Sequence, residues 1–430
     1  MNIPFGLRVD PLSSFSKTCY TTVVPKHYEQ GGLRMDFPYP EKAQLELKSL
    51  IRAVTEKGRN VPGFISFALG SPAPECIPVD LLRQAYQEVF EEDPLSVLAY
   101  GPQIGDEELR MWIRNYMAQR KGCKGRGDSV VMLTGSGRGL GLAPRTLCND
   151  GDEVYLDLFT YPNATYAAHY QGAKPVAIEG DDDGMLPDML EAAAKSGKGK
   201  LIYLIPNFQN PTGRTMSLDR RKAIYEIAKK YRLAIYEDDP YGEIRFAGEE
   251  IPSFKSFDTE NLVIYAGSFS KILSAGLRVG FLFGPEDMMR KFTAVKNSDG
   301  QEPLYNQKII MHALRKIDLD AHIQFLRETY GRKCRLMAET LQRNCSSRCR
   351  ILVPQGGMFL WVEIPEEIDI DALSDAMIAA GVGPVKSAAF TADLSIPGHA
   401  FRLNYSAPSE DDIVSGSEIF GRITRQFCGD

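Results

Sequence analysis

No C-x-x-C pair occurs in this 430-residue chain, although it holds eight cysteines. Cys19, Cys76, Cys123, Cys148, Cys334, Cys345, Cys349 and Cys428 are scattered, and no histidine flanks the close pair Cys345 and Cys349 at zinc spacing. Metal binding is therefore not expected, and the thiols read as reduced and structural. An excess of basic charge is missing too. Fifty Lys and Arg against fifty-six Asp and Glu leave a formal charge of −6, which excludes a dedicated nucleic-acid binder but leaves room for a local pocket for a small anion. No apolar run approaches the ~18 residues needed to span a bilayer. The stretch MNIPFGLRVDPLSSFSKTCY lacks a long apolar segment of the signal-peptide kind. A cytoplasmic, soluble protein without internal repeats or low-complexity tracts is the expectation.

What is present is ordinary globular material, 43% hydrophobic and 25% charged. The length points to two domains, or to one large domain with a smaller companion. The first forty or so residues carry Pro, Gly and aromatics without periodicity, as an extended arm would. "LELKSLIRAVTEKG" (45–58) has helical spacing, and "GFISFALGSPAP" reads as a short strand and a loop.

From about residue 129 strands and helices alternate. "SVVMLTG", "DEVYLDLF", "KPVAIEG", "KLIYLIP", "RLAIYEDD", "NLVIYAGS" and "LRVGFLFG" read as strands. "SGRGLGLAPRTLC", "YPNATYAAHYQG", "LPDMLEAAAKSG" and "SLDRRKAIYEIAKKY" read as helices, the last with Ser217 as N-cap. This predicts an α/β domain built on a mostly parallel sheet flanked by helices. After residue 315 the rhythm changes to an α+β pattern. Expected boundaries are 1–74 for the arm and a segment packed on the small domain, 75–315 for the large domain, and 316–430 for the small one.

Parallel sheets bind ligands at the carboxyl ends of their strands, and five such ends carry suggestive residues. Gly135-Ser136-Gly137-Arg138-Gly139 opens a helix, where small residues let backbone N–H groups approach a phosphate. The same run also suits a plain tight turn. Tyr161 follows another strand and can lay its ring on a flat ligand. Asn207-Phe208-Gln209-Asn210-Pro211-Thr212-Gly213 holds an amide at the sheet edge. Asp238-Asp239-Pro240-Tyr241 ends a buried strand with two carboxylates, which is costly without a partner. Ser268-Phe269-Ser270-Lys271, with Arg278 beyond, places two cations in an apolar run. A buried amine without a salt partner loses its proton readily and attacks carbonyls, and Arg278 presents a fork for an anionic oxygen pair. Together the parts fit a flat, phosphorylated aldehyde with a protonatable ring nitrogen, which is pyridoxal phosphate chemistry.

At these residues the chain resembles the fold-type I, class I/II aminotransferases, and most of all their kynurenine/2-aminoadipate and aromatic amino acid branch. "NFQNPTG", "YEDDPY", "GSFSKILSAGLRVGF", "GGMFLWVEIP" and "FRLNYS" stand in the family's order over roughly residues 60 to 425. The resemblance implies that Lys271 is the Schiff-base lysine and the proton shuttle, and that Asp238 pairs with the pyridine nitrogen. It implies that Asn210 and Tyr241 bond the phenolic oxygen, and that Tyr161 stacks on the ring. Ser136, Gly137, Ser268, Ser270 and Arg278 would grip the phosphate. Arg402 would fork onto the substrate carboxylate, beside Asn210 and the backbone of Gly70. Tyr100 would reach the phosphate of a neighbouring subunit, which requires a homodimer. The implied activity moves an amino group from an L-amino acid to a 2-oxo acid.

Two stretches depart from the family's pattern. Gly137-Arg138 stand where relatives carry glutamines, so that Arg138 either adds a phosphate contact or points to solvent. Lys386-Ser387-Ala388-Ala389-Phe390 replaces a Pro-Gly turn, which bears on side-chain specificity. The competing readings are an S-x-x-K acyl enzyme built on "SFSK", a winged-helix regulator fused to an aminotransferase-like domain, and a β-lyase, decarboxylase or racemase using the same cofactor.

Overall fold

A computed structural model describes residue 42 and residues 50–430, apart from 93, 124–126, 394–395 and 397. The expected arm before residue 41 and the first turns of the 45–58 helix lie outside the described residues. Lys42–Asp430 form one compact unit.

The elements run in the following order. Helix α1 (Leu50–Gly58) precedes the short β1 (Ile65–Ser66), then α2 (Val79–Glu92), α3 (Pro94–Leu98) and α4 (Glu107–Arg120). Next come β2 (Asp128–Leu133), α5 (Gly137–Leu147), β3 (Glu153–Asp157), α6 (Pro162–Tyr170) and β4 (Lys174–Ile178). A hairpin of β5 (Gly180–Asp181) and β6 (Gly184–Met185) leads to α7 (Pro187–Ala194), β7 (Gly199–Leu204), α8 (Leu218–Tyr231) and β8 (Ala234–Asp238). The series closes with β9 (Val263–Ser268), β10 (Gly280–Pro285), α9 (Glu286–Lys296) and α10 (Leu304–Lys316). The remainder is α11 (Leu319–Asn344), β11 (Arg350–Leu352), β12 (Phe359–Glu363), α12 (Ile370–Ala379), β13 (Val382–Gly383), β14 (Val385–Lys386), β15 (Ala400–Asn404) and α13 (Glu410–Cys428).

Seven strands form one sheet in the order β2-β10-β9-β8-β7-β3-β4. β9, β8, β7, β3 and β4 are parallel, and β10 runs antiparallel to both its neighbours, so the sheet is mostly parallel as expected. The continuous apolar run of β7 follows from its place between β3 and β8, covered on both faces. Helix α8 begins where Ser217 accepts a hydrogen bond from the Arg220 amide, an N-cap that supplies one of the first turn's missing acceptors. Residues after 315 build a second, wholly antiparallel sheet in the order β11-β12-β15-β14, with α11 and α13 packed on each other. The short β1 pairs with β13, which ties residues 65–66 to the C-terminal part.

The structure adds to the expected elements. Helices α2, α3, α4, α9 and α10 are not among them, and α11 starts at Leu319 on an Asp318 cap. The stretch "VGPVKSAAF" is two two-residue strands followed by a 3₁₀ turn at Ser387–Phe390.

Candidate active site

The carboxyl ends of β7, β8 and β9 meet the amino end of α5 around a cavity of about 290 Å³. Its lining includes Gly70, Ser136, Gly137, Tyr161, Asn210, Asp238, Tyr241, Ser268, Ser270, Lys271, Arg278 and Arg402. Fold topology thus brings together twelve of the fourteen residues singled out in the sequence, drawn from positions 70 to 402.

Arg138 and Tyr100 are the two exceptions. The Arg138 side chain pairs with Asp299 at 2.6 Å, in a cluster with Arg145, and does not line the cavity. Here the guanidinium is engaged by this carboxylate at the protein surface. Tyr100 is 96% exposed and also lies outside the lining.

Close backbone approach shapes the end of the cavity near α5. Gly135 has φ +77°, and a Cβ there would meet Arg278 Nη2 at 2.3 Å. A Cβ on Gly280 would meet the Ser136 amide nitrogen at 2.5 Å, whereas nothing lies within 4 Å of a Cβ built on Gly137. The first amides of α5, the Ser136 hydroxyl and the Arg278 guanidinium thus surround one concave spot, the geometry of an anion site. Arg278 has φ +51°, sparsely populated for a side-chain-bearing residue. Its Nη1 lies 3.4 Å from Ser270 Oγ, and Ser268 Oγ accepts from the Ser270 amide at 3.1 Å.

Lys271 donates to the Gly70 carbonyl at 2.7 Å. Among the described residues, none of the ion pairs includes Lys271, Arg278 or Arg402. Burial, followed by the positive charges of Arg278 and Arg402, pulls the Lys271 amine down to about 8. Burial likewise lowers Arg402 to about 10.

Asp238 ends β8 and is buried. Tyr203 donates to its Oδ2 at 2.9 Å, while Oδ1 has no partner among the described residues. Burial pushes this carboxyl up to about 7, the Tyr203 bond works against that, and the neighbouring Asp239 adds to it. Asp239 faces the other way, accepting from Tyr265 at 2.8 Å and from Asn207 at 3.1 Å. A buried, orphaned carboxylate oxygen in a cavity lined by three cations is what a protonated ring nitrogen on an anionic ligand requires.

Arg402 sits on β15 with its guanidinium between the rings of Phe359 (4.2 Å) and Phe390 (4.5 Å). Its Nη1 donates to Asn210 Oδ1 at 2.8 Å, its Nη2 to the Ala68 carbonyl, and its Nε has no partner among the described residues. Tyr241 packs edge-on against Phe359, and burial raises its phenol. The Tyr161 hydroxyl accepts from Asn163 at 2.9 Å, and burial raises this phenol too.

The sequence motifs do not single out Tyr203, Ile205 or Phe359. Phe359 stands inside the quoted "GGMFLWVEIP", and Ile205 follows β7 directly. Only strand pairing brings Tyr203 to Asp238, so no local pattern announces it.

Residues 67–415 match the family described as aminotransferase class I and II. The chain belongs to that family of enzymes. It is 34% identical to aromatic-amino-acid aminotransferase 1 of Thermococcus litoralis over 86% of this chain and 89% of that protein. Among solved structures, a multiple substrate aminotransferase from Thermococcus profundus superposes with a TM-score of 0.86 at 33% identity, covering 91% of this chain and 98% of that one. A Pyrococcus horikoshii kynurenine aminotransferase, solved with pyridoxamine phosphate (PMP), gives 0.84 at 32% identity over 90% and 97%. The family's cofactor is pyridoxal 5′-phosphate, and the groups in this cavity fit it: an anion cradle, an amine that, among the described residues, has no ion-pair partner, and an unpartnered carboxylate oxygen. Among the described residues no helix is long and apolar enough to cross a membrane.

Proposed function

We propose that the protein is a homodimeric, cytoplasmic aminotransferase that carries the amino group of an L-amino acid to a 2-oxo acid such as 2-oxoglutarate in two ping-pong half-reactions. The supporting observation is one cavity holding both an unpaired, depressed Lys271 amine and the unpartnered Oδ1 of Asp238. Ser136, the Gly137 amide, Ser268, Ser270 and Arg278 would hold the phosphate, joined by Tyr100 of a second copy. Tyr161 would cover the ring, Asp238 would pair with its nitrogen, and Asn210 and Tyr241 would bond its phenolic oxygen. The bound pyridoxal 5′-phosphate supplies an electron sink for the charge left when the substrate α-proton departs.

The chain's own groups do the rest. With its amine near 8, Lys271 is neutral in an appreciable fraction of molecules at neutral pH, so it serves as nucleophile and then as the base that takes the α-proton. Arg402, packed against the rings of Phe359 and Phe390, would receive the α-carboxylate beside Asn210 and Gly70. The apolar lining of Ile51, Leu69, Ile205 and Phe359 supports aromatic, 2-aminoadipate-like or long aliphatic donors. In this reading residues 75–315 form the cofactor domain and 316–430 the small domain, with the segment of residues 50–74 packed on the latter.

The test is a panel of L-amino acids added to the holoenzyme. The expected result is conversion of the cofactor to its amino form by a subset of donors and its recovery on adding 2-oxoglutarate. Release of thiol, pyruvate and ammonia from a β-thio donor, without any need for a 2-oxo acid, overturns transamination in favour of β-elimination. Borohydride reduction followed by peptide mapping should place the phosphopyridoxyl group on Lys271; another lysine in its place rejects the assignment.

A further inference from the structure

We propose that Tyr203 is a positioning residue of the reaction, fixing Asp238 so that a single carboxylate oxygen faces the ring nitrogen and remains ionised there. The inference rests on the cofactor site described above. It starts from sheet geometry. Tyr203 on β7 is the register partner of Tyr236 on β8. Tyr236 and Asp238 are two residues apart on one strand, and alternate side chains of a strand share a face. Tyr203 is therefore the diagonal neighbour of Asp238, at a distance that long side chains span. Its hydroxyl donates to Oδ2 at 2.9 Å, and both residues are buried. With Oδ2 engaged, the side chain is held in one rotation and Oδ1 alone is left unpartnered. Tyr203 itself does not line the cavity, so it acts through the aspartate and not on the ligand.

The donated bond has a second consequence. It spreads the carboxylate's charge onto a phenol and makes Asp238 a weaker base. A weaker base leaves a shared proton on the ring nitrogen. Without Tyr203 the same buried carboxylate, already raised by desolvation and by Asp239, would draw that proton towards itself.

The structure supplies its own control. On the opposite face Tyr265, the register partner of Glu237, donates to Asp239 Oδ2 at 2.8 Å. The same kind of tyrosine–carboxylate bond thus occurs one residue along, facing away from the cavity. A variant that loses it carries the same type of defect without touching Asp238.

The experiment loads the wild-type protein and the Tyr203→Phe, Tyr265→Phe and Asp238→Asn variants with pyridoxal phosphate labelled with ¹⁵N in its ring. It reads the ring-nitrogen resonance, the cofactor dissociation constant and the thermal midpoint. Tyr203→Phe is expected to move the resonance towards that of an unprotonated ring and to weaken cofactor binding roughly tenfold, the scale of one charge-assisted hydrogen bond. Tyr265→Phe is expected to leave both at wild-type values, even if it melts earlier. A wild-type resonance in Tyr203→Phe overturns the proposal, as does an equal displacement in the two tyrosine variants. Asp238→Asn separates this failure from failure of the site reading: loss of the protonated-ring signal there keeps the site reading, and its persistence rejects that reading too. Should Tyr203→Phe not fold, 4-aminophenylalanine introduced at this position keeps the shape with a weaker donor. A smaller shift in the same direction then supports the proposal, and no shift overturns it.

Discussion

Lys271, Arg278 and Arg402 line one cavity and, among the described residues, no carboxylate pairs with any of them; for the buried Arg402 and the part-buried Lys271 this is unfavourable until an anion arrives. The strain has a measurable signature in the cofactor-free protein. An unfolded lysine titrates near 10.5, whereas folded Lys271 titrates near 8. Between those values the unfolded chain binds more protons, so stability rises with pH across that window. Relative to Lys271→Met, the wild-type protein should gain stability from pH 8 to 10.5, on a scale of about 1.4 kcal/mol per unit of displacement. Denaturant melts at several pH values read this, and a constant difference between the two proteins is the contrary result. Asp238 works in the opposite sense. Raised from 3.8 to about 7, it is protonated in the fold where the unfolded chain is ionised, so its contribution falls as pH rises through that interval.

Among the elements, the anion site depends on how closely β10 approaches the start of α5. Gly280 begins β10, and an added Cβ would strike the Ser136 amide at 2.5 Å. Backbone cannot move aside as a side chain can. Gly280→Ala is expected to displace the first turn of α5 and to weaken cofactor binding tenfold or more, with an overpacking cost of about 1–3 kcal/mol. Cofactor titration and a thermal melt check both parts, and wild-type affinity in the variant contradicts the argument. Elements also show where local sequence patterns suffice and where they stop. The apolar runs of β7, β8 and β9 announce buried strands because both faces are covered. Leu109, Ile113 and Met117 stand four residues apart and are all buried, so the periodicity of α4 is legible, although that helix was not among the expected elements. The pairing of Tyr203 with Asp238 is of another kind, because register between strands leaves no trace in either strand alone.

The molecule as a whole leaves large apolar side chains in water around α3: Leu95 is 78% exposed, Leu98 70% and Tyr100 96%. Under the proposed dimer this is the surface that a second copy of this chain would cover, as the role proposed for Tyr100 needs. Leu95→Asp combined with Leu98→Asp should convert a dimer to a monomer in sedimentation and loosen the cofactor. Unchanged sedimentation of the double variant speaks against this surface. The residues that line the cavity are legible in the linear chain, because a lysine, an aspartate and an arginine in or beside apolar strands stand out there. Residue type and burial pattern are local properties, so the order of amino acids was enough to define the chemistry available and the strands that carry it. Which oxygen of Asp238 is free, where Arg138 points and which rings hold Arg402 were settled by folding alone. Those outcomes depend on strand register and on contacts between residues hundreds of positions apart, and neither is encoded in a local pattern.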